Sequence, residues 1–77
     1  MITGFVLIST IPAKEHEVYD ELLKIGGILE LYPLFGEYDF IAKIKAEDLD
    51  EMEKIVVNKI RRVEGVADTK TLTGVKL

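Results

Sequence analysis

Four consecutive residues, Gly36-Glu37-Tyr38-Asp39, bring together a glycine, a phenol and two carboxylates. They interrupt an apolar run, with Leu31-Tyr32-Pro33-Leu34-Phe35 before them and Phe40-Ile41-Ala42 after. Asp is depleted in strands, so Asp39 at a strand start asks for a reason. One reason is a turn, in which Gly36 takes a positive φ and Asp39 bonds nearby backbone amides. The other is a polar site at a sheet edge, aimed at a ligand or a partner chain. Tyr38 has the same two readings: its ring packs well, while its hydroxyl wants a partner. Glu30, Glu37 and Asp39 are also the material for acid–base work, which would need burial or close like charges to raise a carboxyl pKa. Turn formation and edge solubility account for Glu30 and Glu37 without any such role.

Other chemistry has little to work with. There is no Cys, and Ser9 is the one serine, in or at the end of a strand. His16 is the one histidine, flanked by Glu15 and Glu17. Helix neighbours point about 100° apart, so these three do not converge on a metal, and His16 reads as a solvated helix residue. No catalytic residue, metal site or cofactor is assigned. Neither G-x-G-x-x-G nor a Walker pattern occurs, so Gly36 is not part of a phosphate loop.

The totals bound the rest. At 77 residues the chain is one domain, spanning 1–77. So short a chain buries only about 60% of its unfolded surface, yet 48% of its residues are hydrophobic. The excess points to an interface between subunits. The formal net charge is −4, and only Arg61 and Arg62 are adjacent basic residues. Phosphate backbones repel such a chain, so direct nucleic-acid binding is not expected. No apolar run reaches about 18 residues, so no membrane span is expected. Met1-Ile2-Thr3-Gly4 has no basic lead or cleavage site, and the expected location is the cytoplasm.

The elements that must position Gly36–Asp39 follow from periodicity. Thr3 to Thr10, with Phe5-Val6-Leu7-Ile8, reads as a strand that Pro12 ends. Val18, Leu22 and Ile25 define an amphipathic helix over Lys14 to Ile25, stopped by Gly26-Gly27. Ile28 to Tyr32 alternates Ile28, Glu30, Tyr32 against Leu29, Leu31, a second strand. Tyr38 to Lys45 is a third. Asp48 and Glu51 form a capping box for a second helix lined by Leu49, Met52, Val56, Ile60 and Val63. Val66 to Thr73 closes the chain as a strand with Thr69, Thr71 and Thr73 along one side.

The order is βαββαβ. An offset of 38 aligns Val18 with Val56, Leu22 with Ile60, Ile25 with Val63, Gly27 with Gly65 and Ile28 with Val66. Two such units predict an α+β, ferredoxin-like fold: a four-stranded antiparallel sheet with two helices on one face. The heavy-metal-chaperone version of that fold needs a Cys pair, which is absent. The first strand is apolar on both sides, Phe5 and Leu7 on one and Val6 and Ile8 on the other. A strand covered on one face should alternate, so a second sheet is expected on the open face, in a homodimer at least.

The string Tyr32 to Lys45, centred on Gly36-Glu37-Tyr38-Asp39, resembles the effector domain of the Lrp/AsnC family of transcription regulators. So do Gly27 and its apolar strand, Ala46-Glu47-Asp48-Leu49, and Val63-Glu64-Gly65-Val66 through Thr71. The resemblance spans essentially the whole chain. It implies dimerisation through the sheets, assembly of dimers into an octamer, and a small effector, usually an amino acid, bound between dimers near the loop joining the second and third strands. Gly36, Tyr38 and Asp39 would belong to that site, with Thr69 and Thr71 as further candidates. Typical members carry an N-terminal helix-turn-helix domain; here Met1 leads into the first strand, so the expectation is a stand-alone effector domain acting through full-length relatives. Two other readings stay open: a small dimeric ferredoxin-like-barrel enzyme, isomerase or monooxygenase-like, using Asp39 or Tyr38, and an ACT-like amino-acid-binding domain.

Overall fold

Residues 1–75 are described by a computed structural model. Strand β1, Ile2–Thr10, lies inside the sheet, bonded on one side to β3, Phe40–Ala46, and on the other to β4, Val66–Thr73. Strand β2, Ile28–Pro33, completes the order β2-β3-β1-β4, with every pairing antiparallel. Helix α1, Glu15–Leu22, and helix α2, Leu49–Ile55, supply the connections between β1 and β2 and between β3 and β4. This is the βαββαβ arrangement expected from the two repeated units.

Side-chain alternation splits the sheet into two faces. Val6 and Ile8 of β1 and Phe40, Ala42, Ile44 and Ala46 of β3 are buried against Val18 and Leu22 of α1 and Met52 and Ile55 of α2. Both helices therefore cover the same face. Phe5 and Leu7 point the other way, and Phe5 is 38% exposed. No other element of the described chain covers that second face.

Asp48 caps α2 as expected: its Oδ1 accepts from the Glu51 N–H at 2.9 Å. The Glu51 carboxylate reaches back to the Glu47 N–H, one residue before the amide a capping box would use. The helix then departs from a regular stripe. Val56–Ile60 is a π-helical turn, with the Arg61 N–H donating to the Val56 carbonyl at 2.8 Å. One extra residue in that turn lets adjacent Ile55 and Val56 both face the core, while Leu49, expected on that stripe, is 63% exposed.

Other expected boundaries shift by physical causes that can be named. Helix α1 begins at Glu15, because Ala13 takes a left-handed φ of 73° that a helix cannot contain. It ends at Leu22, and tighter turns carry the chain on to Ile25. Strand β3 starts at Phe40, leaving Tyr38 and Asp39 in the connection. Strand β2 has an irregularity between Ile28 and Glu30, so Ile28 shares its face with Leu31 and not with Glu30 and Tyr32 as simple alternation predicts.

The internal repeat is visible in the backbone. Gly27 and Gly65, 38 positions apart, have φ values of +99° and +102°. At Gly65 a Cβ would also lie 2.8 Å from Val18 Cγ2 in the core. Gly65→Ala should therefore destabilise the fold by more than about 1 kcal/mol. Ala13→Gly should raise stability by up to about 1 kcal/mol, because an L-residue in the left-handed region is disfavoured by ~1–2 kcal/mol. Urea denaturation of the two variants beside the parent measures both signs.

Candidate functional site

The connection between β2 and β3 is a loop fastened at its base. The Leu34 N–H donates to the Asp39 carbonyl at 2.8 Å, closing the loop. The Asp39 N–H donates to the Ile8 carbonyl at 2.8 Å, extending the β3–β1 ladder by one residue. The Asp39 carboxylate reaches further along β1. Its Oδ2 accepts from the Thr10 N–H at 2.7 Å and from the Thr10 hydroxyl at 3.0 Å. The shorter bond has the length of a charge-assisted one. Thr10 is where β1 loses regular register with β4, so the carboxylate supplies an acceptor at the irregular end of the strand.

Asp39 thus has a structural task, and it is not the local turn that residue type suggests. Its partner lies 29 positions earlier in the chain. Both bonds fall on Oδ2, and Oδ1 takes no part in the clamp. Gly36 does take a positive φ, +151°, and a Cβ there would meet nothing within 4 Å. Backbone conformation alone favours glycine at that position. Tyr38 is half-buried, Glu37 is exposed, and Phe35 at the loop tip is wholly exposed.

Of the three carboxylates considered for acid–base work, Asp39 is bonded to Thr10 and Glu30 is held in a cross-strand ion pair. Glu30 sits opposite Lys43 in the β2–β3 ladder, and the pair is 3.3 Å apart. The Tyr32 hydroxyl donates to the other oxygen of Glu30. That hydroxyl first, and the Lys43 ammonium second, hold the Glu30 carboxyl below its usual range. The hydrogen bond to Glu30 first, and the Glu30 charge second, push the Tyr32 phenol up in turn. A lowered pKa is the wrong direction for a general acid. This Glu30–Tyr32–Lys43 group was not legible beforehand, because the cross-strand match depends on the irregularity before Glu30.

Thr69 and Thr71 lie elsewhere. They pair with Ile8 and Val6 on the far side of β1, at the edge strand opposite β2. With Thr73, Met52, Val56 and Arg61 they line an open groove of about 400 Å³ beside α2. Within one protomer the structure does not bring them to Gly36, Tyr38 and Asp39.

Beside the loop is a second concavity. Tyr19 of α1, Pro33 of β2 and Phe40 of β3, with Glu15 and His16, line a pocket of about 370 Å³. The Tyr19 and Phe40 rings are stacked with centroids 5.7 Å apart. The volume lies within the range of about 300–1,000 Å³ typical of small-molecule sites. His16, solvated as its surroundings suggest, is exposed at this pocket. Among the described residues no group of three or more His, Cys, Asp or Glu is placed to hold a metal ion. None of the described helices is long and apolar enough to cross a membrane.

Comparisons agree with this architecture. The family model described as the Lrp/AsnC ligand binding domain matches residues 3–76. An uncharacterised HTH-type transcriptional regulator of Pyrococcus furiosus is 37% identical over 73 residues, covering 91% of this chain and 49% of its own length. The chain spans about half the length of the curated relatives it matches. A crystal structure from Thermus thermophilus superposes with a TM-score of 0.93 at 30% identity, over 100% of this chain and 96% of that one. The fold is shared by a Neisseria meningitidis transcriptional regulator in complex with L-Met, with a TM-score of 0.86 at 21% identity, over 97% of this chain and 50% of that one.

The Glu30 group gives a direct test. In Tyr32→Phe the Glu30 carboxyl should titrate closer to its ordinary value, since its largest stabilising contact is gone. Glu30 is depressed in the folded state, so its contribution to stability is present above pH 4.5 and lost as pH falls through the folded pKa. The acid limb of the stability profile should therefore flatten in the variant. Carboxyl-carbon NMR titration and acid denaturation measure the two effects.

Proposed function

The chain belongs to the Lrp/AsnC ligand-binding domain family of transcription regulators, and we propose that it binds a small effector of the amino-acid class and oligomerises. In this reading it modulates transcription regulators without contacting DNA or catalysing a reaction. The observation that carries it is the clamped Gly36–Asp39 loop within a domain matched over residues 3–76. Backbone amides beside Gly36 receive the effector's carboxylate, and Asp39 Oδ1, the oxygen outside the clamp, accepts from its ammonium. The L-Met bound to the Neisseria regulator supports an amino acid as the class.

Assembly is the second half of the proposal. The helix-free sheet face carries Phe5 and Leu7 from β1, Ile41 from β3, Tyr32 from β2 and Leu72 from β4, in adjoining cross-strand positions. A second sheet packed there removes apolar area worth ~25 cal/mol per Å², a large gain for so small a domain. Dimers formed this way go on to a larger ring, in which Thr69 and Thr71 reach an effector at the loop only from a neighbouring protomer. The net charge of −4 favours protein partners, including full-length Lrp/AsnC relatives, over a phosphate backbone.

Isothermal titration with a panel of amino acids tests the site. The best binder should lose at least about tenfold in affinity, ~1.4 kcal/mol, in Asp39→Ala. Thr10→Ala removes one clamp bond and keeps the carboxylate, so it should bind nearly as the parent does. Equal affinity of parent and Asp39→Ala would remove Asp39 from the site.

A further inference from the structure

We propose that Phe35 is an assembly knob, which enters the Tyr19–Pro33–Phe40 pocket of a second copy of this chain. The inference takes the sheet-paired dimer of the preceding reading as its building block. It does not depend on an effector. Three observations lead to it. Phe35 is 107% exposed, so its ring contributes nothing to the core of its own protomer. A fully exposed Phe beside exposed Leu34 is the sort of local apolar patch that marks an interaction site.

The second observation is how the ring is held. Four hydrogen bonds, donated by Leu34, Asp39 and twice by Thr10, fasten the base of the loop, and Gly36 takes the φ of +151° that turns the chain just after Phe35. A ring presented on a fastened loop loses less freedom on docking than one on a loose segment. The third is that each protomer also carries a matching hole. The pocket of about 370 Å³ opens beside the same loop and is floored by the stacked Tyr19 and Phe40 rings. A third ring extends that aromatic pair.

Knob and hole are different parts of the surface, so the contact is heterologous. Such contacts close into rings or run on as filaments. A sheet-paired dimer offers two knobs and two holes, which lets dimers join into a closed ring. A second copy is the occupant favoured here because both halves of the contact stand on every chain.

Native mass spectrometry and light scattering of three proteins test this: the parent, Phe35→Ser, and His16→Trp, which fills the pocket mouth. The parent should form a species larger than a dimer. Each variant alone should stop at the dimer, with the melting temperature of the dimer unchanged. An equal mixture should recover the large species, because one variant keeps the hole and the other the knob. Recovery distinguishes a knob in a hole from a patch that pairs with itself. The proposal is overturned if either variant assembles as the parent does, if the mixture stays dimeric, or if the parent itself stops at the dimer. It is also overturned if Phe35→Ser melts earlier as a dimer, since the ring would then serve its own fold. A monomeric parent sinks the sheet pairing instead, and the knob is then judged by whether the mixture gives one-to-one pairs. Amino-acid titration of the same samples reads the effector proposal separately.

Discussion

Strand β1 is hydrogen-bonded along both edges and apolar on both faces, and that one constraint organises the molecule. Val6 and Ile8 require a layer on one side, which α1 and α2 provide. Phe5 and Leu7 make the same demand on the other side, where the described chain offers nothing. A protomer of this size has few residues with which to build a second layer, and its own fold has used both helices. The assembly proposed above is one answer to how β1 is written.

The same strand also holds the candidate site. Asp39 is bonded to Ile8 through its amide and to Thr10 through its carboxylate. The loop that it closes is thus tied to the centre of the sheet, although it looks like a peripheral connection. Any force on Gly36–Asp39 is felt at the end of β1, where the register with β4 changes. A carboxylate with one oxygen in a clamp and the other outside it ties the loop to the frame by a single side chain. In the proposed function, that is a short path between binding and the sheet face offered for pairing.

Much of the fold was legible because it is written twice. The offset of 38 matches core residues of two βα-β units, and Gly27 and Gly65 repeat in conformation as well as in type. The capping box, the strand cores and the two faces of β1 follow from rules with a local physical basis. What was not legible depends on events at single residues that leave no periodic trace. The π-turn at Val56–Ile60, the left-handed Ala13 and the irregularity in β2 each shift a register by a residue or end an element early. The β2 irregularity hid the pairing of Glu30 with Lys43. At the site, Gly36 takes the positive φ that a turn reading allows, while Asp39 does not bond its neighbours as the turn reading of that residue has it. Its real partner, Thr10, becomes adjacent only when β3 is laid beside β1. Thr69 and Thr71 show the same limit from the other side: strand alternation puts them on one face, and only sheet order reveals that β1 separates them from the loop.

A regulator built on these lines needs little chemistry of its own. The free energy available to a small effector is its differential affinity for two assembly states, and nothing more. An effector held wholly inside one protomer would stabilise the fold without changing how protomers meet. A site at the loop tip is different, because the loop projects from the protomer with Phe35 fully exposed beside it. In the proposed assembly, groups brought by another copy complete or obstruct the site, which links occupancy and association in both directions. The open apolar face belongs to β1, and the candidate site belongs to the loop that Asp39 fastens to β1.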